Sequence, residues 1–422
     1  MNNVKKSFMA LAAVSALGVS VQAESFKEAL KGGKTSGEIR ATYVTSDTID
    51  TTSYNVARPN DNLNTAALGL RLNYETGSYK GLVGQVGFQT NHNFHLEDDA
   101  KQDPRSSADG TNMYLANVSY GMGDTVVKVG RQTILTPLVG GSNTFNLRDS
   151  FDALSIESKA VENTEIKFYA IKAWIERYNA ASTGDNSRVT SFQDPTYSLY
   201  VKNKTTDSLT LQGQYFTVTD SDGVTGDAPV KIMADEYSTY YAMADYKLAT
   251  STPLSIGAYH AGATYDTAGE KDTTMNGIKL GGKIAGTAFK LAYTVVADDN
   301  DFAGTFGHIP AFFKYNGGQM WTDHIYAGTT STSLMVIPKL IPGVFSLFAY
   351  STYSQSDAGI ANSSVATSSS NMDGASELQA DLRYKFADGL STRLTIAALE
   401  YDTPNATDSS VTKTSLYLNY AF

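Results

Sequence analysis

The chain has 422 residues, is 41% hydrophobic, carries 43 acidic against 33 basic side chains and lacks cysteine. The acidic balance argues against nucleic acid as a partner, and the lack of cysteine excludes a disulfide framework and a thiolate metal site. No apolar run after residue 23 approaches the ~20 residues of a membrane-spanning helix, so a membrane-embedded form would have to be a closed β-barrel.

The first 23 residues have the pattern of a secretory signal peptide. Lys5 and Lys6 precede an apolar run over 8–19, and Val21-Gln22-Ala23 is a small-residue cleavage pattern. A membrane anchor is the alternative, but the 12-residue run is too short to span a bilayer as a helix. We expect an exported chain of residues 24–422, with a net charge of −12 instead of −10 because two lysines are lost.

Alternation of apolar and polar residues recurs from residue 35 to the C-terminus, with no linker and no shift in composition. Side chains on a strand point alternately to opposite faces, so this pattern predicts one all-β domain over 24–422. About eighteen antiparallel strands are predicted, near 35–46, 65–75, 80–91, 111–121, 124–131, 152–159, 164–175, 195–204, 207–219, 235–248, 253–265, 274–285, 287–297, 332–338, 343–355, 376–386, 390–401 and 411–422.

Short and long links alternate between the predicted strands. The short links lie near 76–79, 122–123, 203–206, 286, 339–342 and 387–389, and the long links near 47–64, 92–110, 132–151, 176–194, 220–234, 298–331 and 356–375. A transmembrane barrel has this arrangement, because its short turns face the periplasm and its longer loops face outside. Strand boundaries are approximate and the link at 298–331 has room for another hairpin, so sixteen or twenty strands stay open as alternatives.

One face of the strands is apolar throughout and the other carries amides and charges. In SELQADLRYKF at 376–386, Leu378, Leu382 and Phe386 alternate with Asp381 and Arg383. Eighteen strands enclose a lumen that side chains cannot fill, so we expect water inside and lipid outside. A large soluble β-sandwich is the alternative that alternation alone leaves open.

The segment GRQTILTPLVGGSNTFNLRDSFDA at 130–153 contains Pro137 and Gly140-Gly141, which disfavour a regular β-strand. Its length allows it to fold into the lumen. Its stretches VGRQ, TPL and RDSFDA resemble those of OprD-type outer-membrane porins and of the major porins of campylobacter-like bacteria. The stretches ESFKEALKGGKTSGEIRATYV, ALGLRLNYETGSYKGL and YNGGQMWTDHIYAGT resemble segments of the second group.

This resemblance implies a barrel whose in-folded segment constricts the pore, and a preference for small anions such as carboxylates. It also implies assembly as homotrimers. The constriction candidates that it implies are Arg131, Arg148, Asp149 and Asp152. Arg131 departs from the pattern, because it shares strand parity with Val127 and Val129. For Arg131 to face the lumen, Gly130 must bulge or the strand must already have ended.

Alternation places many basic side chains on the inner face, with only a few inward acids such as Glu38 and Asp381. The predicted lumen-facing basic ladder is Arg40, Arg71, Lys202, Lys279, Lys283, Lys290, Arg383, Lys385 and Arg393. One interpretation is that these charges hydrate the wall and pair with each other. The other is that they pass small anions through the pore, as the resemblance implies.

The last strand places Leu416, Leu418, Tyr420 and Phe422 on one face, ending in an aromatic residue. This pattern resembles the C-terminal signal that the barrel-assembly machinery reads in outer-membrane proteins. It is also simply the last lipid-facing strand, and the two interpretations are compatible.

Two loops and one histidine suggest other chemistry. His92, His95 and the acidic run at 97–99 offer ligands for a divalent cation, although a solvated loop is simpler. Asp220–Asp227 resembles a calcium loop but fails the full EF-hand pattern. His260 is the lone histidine in a well-defined strand, and no nucleophile–base arrangement stands out near it, which argues against a hydrolase.

We therefore predict a porin of the bacterial outer membrane that lets small hydrophilic solutes or ions diffuse passively, without a cofactor. A non-conducting structural or adhesive barrel is the main alternative, and an outer-membrane hydrolase is the second. Conductance in planar bilayers separates the porin from the closed barrel.

Overall fold

The computed structural model describes residues 25–46, 63–97, 104–140, 145–177, 189–204, 206–219, 236–250, 253–266, 269–302, 325–363, 372–400 and 410–422. Eighteen β-strands make up most of these residues. The strands are β1 Lys34–Ser46, β2 Leu63–Glu75, β3 Leu82–Asn93, β4 Gly110–Met122, β5 Thr125–Gln132, β6 Ser150–Ser158, β7 Thr164–Ile175, β8 Val189–Asn203, β9 Leu209–Val218, β10 Tyr237–Leu248, β11 Leu254–Tyr265, β12 Thr273–Ile284, β13 Thr287–Val296, β14 Thr329–Ile337, β15 Val344–Gln355, β16 Ser376–Lys385, β17 Leu390–Glu400 and β18 Ser410–Ala421.

The strands form one antiparallel sheet in which each strand pairs with its neighbours along the chain. β1 and β18 close the sheet into a barrel, pairing from Glu38 with Ala421 to Ser46 with Lys413. The predicted antiparallel barrel of about eighteen strands is confirmed. The link after β13 adds no further strand in its described parts, 297–302 and 325–328.

Two strands begin at least three residues earlier than alternation predicts. β8 begins at Val189 instead of near residue 195, and β14 begins at Thr329 instead of near residue 332. The β7–β8 pairing is irregular, because Ile171 pairs with Thr196 whereas Ala173 pairs with Ser191. β8 therefore has more residues than β7 between these two pairs, and the extra residues interrupt the alternation of period two. For this reason the sequence pattern does not show the first part of β8.

Exposure separates the two faces of the barrel wall. On β16, Leu378 is 55% exposed on the outer surface, whereas Asp381 on the inner face is 1% exposed. On β2 the same contrast holds between the exposed Leu70 and the buried Arg71. Apolar side chains therefore cover the outside and polar side chains line the inside, as expected for a barrel with lipid around it and water within.

Three short helices lie within the described residues: α1 Phe26–Lys31, α2 Pro104–Ser107 and α3 Asp357–Asn362. α1 begins with a capping box between Ser25 and Glu28, and it contacts the β2–β3 link because the Gly77 N–H donates to the Ala29 carbonyl over 2.8 Å. Among the described helices, none has the length and apolar character to cross a membrane.

The short links lie at the end of the barrel that carries α1, which is the periplasmic end by the rule that short turns face the periplasm. β12 and β13 join through Ala285 and Gly286, with φ of +48° and +84°. Two successive positive φ angles are typical of a type I′ hairpin, whose twist matches that of the flanking strands.

The inner wall is not polar throughout. In the half of β7–β13 that lies toward the long links, buried aromatic side chains face inward, among them Tyr169, Phe216, Tyr237, Tyr241 and Tyr259. We call these five residues the aromatic sector. Their inward direction follows from strand alternation, but their burial requires something within the lumen to cover them.

Candidate functional site

The link after β5 turns into the lumen instead of extending the wall. Its outgoing limb, residues 133–140, buries Ile134, Leu138 and Val139 against the aromatic sector. A tight turn holds these side chains together, since the Thr136 N–H donates to the Val139 carbonyl over 2.6 Å. Burial of three apolar side chains away from water favours the inward path of this limb.

Gln214 of β9 fixes the outgoing limb to the wall. Its Oε1 accepts the Leu138 N–H over 2.9 Å, and its Nε2 donates to the hydroxyls of Thr136 and Ser198, each over 2.8 Å. Gln214 is itself buried, so losing one partner would leave a polar group without water to replace it.

We expect Gln214→Ala to loosen the outgoing limb, because a buried N–H without an acceptor costs about 1–3 kcal/mol. On a gel, the folded barrel should convert to the mobility of the unfolded chain at a lower temperature. The noise of the open-channel current should also rise. Gln212→Ala is the matched control, since Gln212 lies on the same strand and accepts from the Tyr200 hydroxyl instead of the limb. Equal noise in both variants would contradict this anchoring.

The returning limb, residues 145–149, lies against β1 and β2. The Arg40 Nη1 donates to the Phe145 carbonyl over 2.9 Å, and the Arg71 Nη1 donates to the Asn146 carbonyl over 2.7 Å. The Thr42 hydroxyl donates to the Asn146 Oδ1 over 2.7 Å. The two described limbs are thus fixed to different parts of the wall, β8–β9 and β1–β2, on different sides of the lumen.

β2 and β3 position the end of this limb. A Cβ on Gly69 would lie 2.7 Å from the Asn146 Cβ, so glycine leaves room for the limb to approach. Gln89 of β3 forms two hydrogen bonds of 2.9 Å with the backbone of Arg148, accepting its N–H and donating to its carbonyl. These contacts hold the Arg148 backbone at the wall and direct its side chain to its neighbours there.

Asp149 and Arg177 clamp the limb from the other side. The Arg177 backbone N–H donates to the Asp149 Oδ1 over 2.9 Å, and its guanidinium forms an ion pair with the Asp149 Oδ2. The same guanidinium lies 4.8 Å from the Phe145 ring centroid. Both charged side chains are buried. Asp149 therefore anchors the limb through Arg177.

Three guanidinium groups surround a single carboxylate at the centre of the site. The Glu38 Oε1 lies 2.6 Å from the Arg40 Nη2, and the Glu38 Oε2 pairs with Arg71 and lies 3.7 Å from the Arg148 Nη2. We call these four residues the eyelet. Burial lowers the pKa of Arg148 to about 10, so its guanidinium is charged at neutral pH. The eyelet thus carries a net charge of +2.

A second ion cluster continues along the inner wall from the eyelet. Asp381 is buried and pairs with the Arg383 Nη2 at 2.7 Å and the Arg393 Nη2 at 2.9 Å. Tyr417 of β18 lies between this cluster and the eyelet, with its ring centroid 5.9 Å from the Arg393 Cζ. Lys385 lies farther toward the periplasm, where it pairs with Asp388 of the β16–β17 link at 2.9 Å and lowers the pKa of that carboxyl.

The other four lysines of the predicted ladder occupy the wall below the aromatic sector. Lys202, Lys279, Lys283 and Lys290 all lie on inward-facing positions of β8, β12 and β13. The Lys279 Nζ lies 2.5 Å from the Asp245 Oδ1. This pair passes across Gly257 of β11, where a Cβ would lie 2.4 Å from the Asp245 Oδ1. The ladder therefore divides into an arginine side and a lysine side.

The structure places Arg131 and Asp152 away from the eyelet, contrary to what the resemblance implies. Gly130 has a φ of +111°, but β5 keeps its register with β4 and β6 through Arg131. Arg131 therefore keeps the outward parity of Val129, and its partner across the ladder is Asp152. The Arg131 Nε and Nη2 donate to the two Asp152 carboxylate oxygens over 2.8 and 2.9 Å. This bidentate pair lies on the outer surface.

Several residues that position the site were not singled out in the sequence. Gln89, Asn146 and Gln214 act through side-chain hydrogen bonds, and amides have no spacing that predicts such contacts. Glu38 was noted only as an inward acid, although three arginines converge on it. Lys128, Lys167 and Lys413 also lie on inward-facing positions, and continued parity counting would have found these three.

The remaining candidate residues are dispersed. His260 points outward and contacts the Asn276 Oδ1 at 2.7 Å, so it lies outside the lumen. Asp109 lies 3.2 Å from the His95 Nε2 and 3.9 Å from the His92 Nδ1. Within the described residues no cluster of His, Cys, Asp and Glu side chains is arranged to hold a metal ion. Asp98, Asp99 and 220–227 lie outside the described residues.

Comparison with known proteins agrees with this architecture. The model of the OprD family, described as outer membrane porins, matches residues 27–422, and no curated protein matches. OccAB1 of Acinetobacter baumannii is 14% identical with a TM-score of 0.71, covering 96% of this chain and 99% of that chain. OccD3 (OpdP) of Pseudomonas aeruginosa is 16% identical with a TM-score of 0.70, covering 94% and 92%. The chain belongs to the OprD family of outer membrane porins.

Proposed function

We propose that this porin favours small anions, carboxylates above all, and that the eyelet is where it selects them. The observation that carries the proposal is the convergence of Arg40, Arg71 and Arg148 on the single carboxylate of Glu38. Glu38 neutralises one of the three charges, and the remaining charge attracts an anion that enters the narrowed lumen. A guanidinium also matches a carboxylate in shape, since it can donate two parallel hydrogen bonds.

Arg148 is the arginine best suited to contact a passing solute. It approaches Glu38 only to 3.7 Å, whereas Arg40 lies at 2.6 Å and Arg71 forms a direct hydrogen bond with the same carboxylate. Arg40 and Arg71 also donate to the carbonyls of the returning limb. We therefore assign Arg40 and Arg71 mainly to holding the limb, and Arg148 to the solute.

Anions leaving the eyelet have further basic groups along the wall. Arg383 and Arg393 share Asp381, which leaves this cluster with a net charge of +1. A row of weak sites favours conduction, because an ion must bind well enough to enter and loosely enough to leave. Solutes move passively down their gradients, and OprD-family porins, as channels, are not enzymes.

Bilayer recording tests this proposal. We expect the purified porin to give stepwise conductance. In a KCl gradient, the sign of its reversal potential should show that chloride permeates better than potassium. A small carboxylate added to one chamber should reduce the chloride current more than an uncharged solute of similar size does. A cation-selective channel that ignores the carboxylate would contradict the anion preference, and an absence of conductance would favour a closed structural or adhesive barrel.

Before it can conduct, the porin must be exported and assembled. We propose that residues 1–23, which lie outside the described residues, are cleaved as a signal peptide. The barrel-assembly machinery then recognises the last strand through Leu416, Leu418, Tyr420 and Phe422, whose side chains are exposed on the outer face. The family resemblance further suggests that the inserted barrels associate as homotrimers.

A further inference from the structure

Three charged side chains lie together on the outer surface of the barrel. Arg131 of β5 pairs with Asp152 of β6, and Asp152 in turn has Ala173 of β7 as its partner across the sheet. Lys172 precedes Ala173 at a bulge in β7 and is exposed. We call Arg131, Asp152 and Lys172 the outer charged patch.

This patch is exceptional on the outer surface. By alternation, the other outward positions on regularly paired strands carry apolar, aromatic or uncharged polar side chains wherever the structure describes them, apart from Glu400 at the outer end of β17. Asp194, in the irregular part of β8 between the partners of Ile171 and Ala173, is exposed as well. Arg131 is six residues along β5 from Thr125. At about 3.3 Å per residue and a tilt of about 40°, that is ~15 Å from the periplasmic end, near the middle of an apolar band about 25 Å tall.

Lipid alone covers such a patch poorly. An arginine facing lipid at the midplane is destabilising, and the neutralising partner Asp152 lowers this penalty without removing the polarity. The strands that carry the pair are also short, with 8 residues in β5 and 9 in β6. A spanning strand needs about 9–11 residues, and the chain beyond β5 turns inward, so the wall is low in this sector.

We propose that a second copy of this chain covers the outer charged patch, making β5–β7 the interface of the oligomer. A partner must be embedded at the same depth to reach the patch, and a copy inserted in the same orientation presents its own patch at that depth. The patch holds both signs of charge, so it is complementary to itself around a rotation axis normal to the membrane. This inference rests on the proposed self-association and is independent of the anion preference.

Single cysteines test the interface, because the natural chain has no cysteine. Leu154→Cys places a thiol on the outer surface of β6 beside the patch, and Leu334→Cys places one on β14, across the barrel. Two differently tagged copies are expressed together, and outer membranes are treated with a short thiol cross-linker. We expect a dimer containing both tags with Leu154→Cys and monomer with Leu334→Cys.

Replacing the pair by Arg131→Leu/Asp152→Leu should abolish the cross-linked dimer in the Leu154→Cys background and shift the native-gel band to the monomer. Single-channel conductance should persist, which separates this result from failure of the channel itself. Monomer alone with Leu154→Cys in the natural background would overturn the proposal, and so would cross-linked species none of which contains both tags. The first arm keeps the test valid even if the double variant folds poorly.

Discussion

Replacing Arg177 with methionine should destabilise the in-folded link more than any other single change considered for this site. Asp149 would lose its ion partner while its carboxylate is buried, with a side-chain exposure of 1%. Breaking a buried pair from one side costs about 3–5 kcal/mol, because the remaining charge is uncompensated. The returning limb should shift to hydrate Asp149, and Arg148 would shift with it.

Two measurements follow from this local release. The heat-resistant gel mobility of the folded barrel should be lost at a lower temperature, and single-channel records should show larger and more variable conductance. Asp149→Asn/Arg177→Met removes both charges and should recover much of the loss, since replacing both partners of a buried pair is often near neutral. Arg383→Met is the matched control for stability, because Asp381 keeps Arg393 as a partner. Wild-type stability and conductance in Arg177→Met would show that the clamp is dispensable.

Alternation was sufficient for the barrel but not for the constriction. The period of two is a property of each strand by itself, so the strand count and the two faces follow from residues such as Leu378 and Asp381 on β16. The path of the in-folded link depends instead on contacts between distant residues, such as Leu138 with Gln214 and Arg40 with the Phe145 carbonyl. No local pattern in the sequence encodes those pairings.

Arg131 shows how a local rule can outperform a resemblance. The resemblance implied that Arg131 narrows the pore, whereas its shared parity with Val127 and Val129 indicated the outer face. The register of β5 with both neighbours follows parity, even though Gly130 has a positive φ. Asp152 follows the same rule on β6, with Leu154 and Ile156 exposed beside it. Strand parity does not apply to Arg148 and Asp149, because they lie in the link and not on a strand.

Arg148→Gln should move the reversal potential in a KCl gradient toward that of a less anion-selective pore. The change removes one of the two net positive charges of the eyelet. A unit charge acts on an ion about 4 Å away with ~1 kcal/mol in a water-like medium, which corresponds to about a fivefold decrease for chloride and a similar increase for potassium, so their permeability ratio changes by more than either factor alone. Arg148→Glu should move the potential further in the same direction, and Glu38→Gln should move it in the opposite direction.

Lys385→Gln is the matched control for this series. It also removes one positive charge, but Lys385 is exposed near the periplasmic end and already paired with Asp388. An exposed charge in a wide, hydrated part of the lumen is screened by salt, so the reversal potential should change little. Shifts from Arg148→Gln should also shrink at high salt for the same reason. If Arg148→Gln and Lys385→Gln gave the same potential as the natural porin, Arg148 would not be the residue that faces the solute, and the eyelet would serve only to hold the returning limb in place.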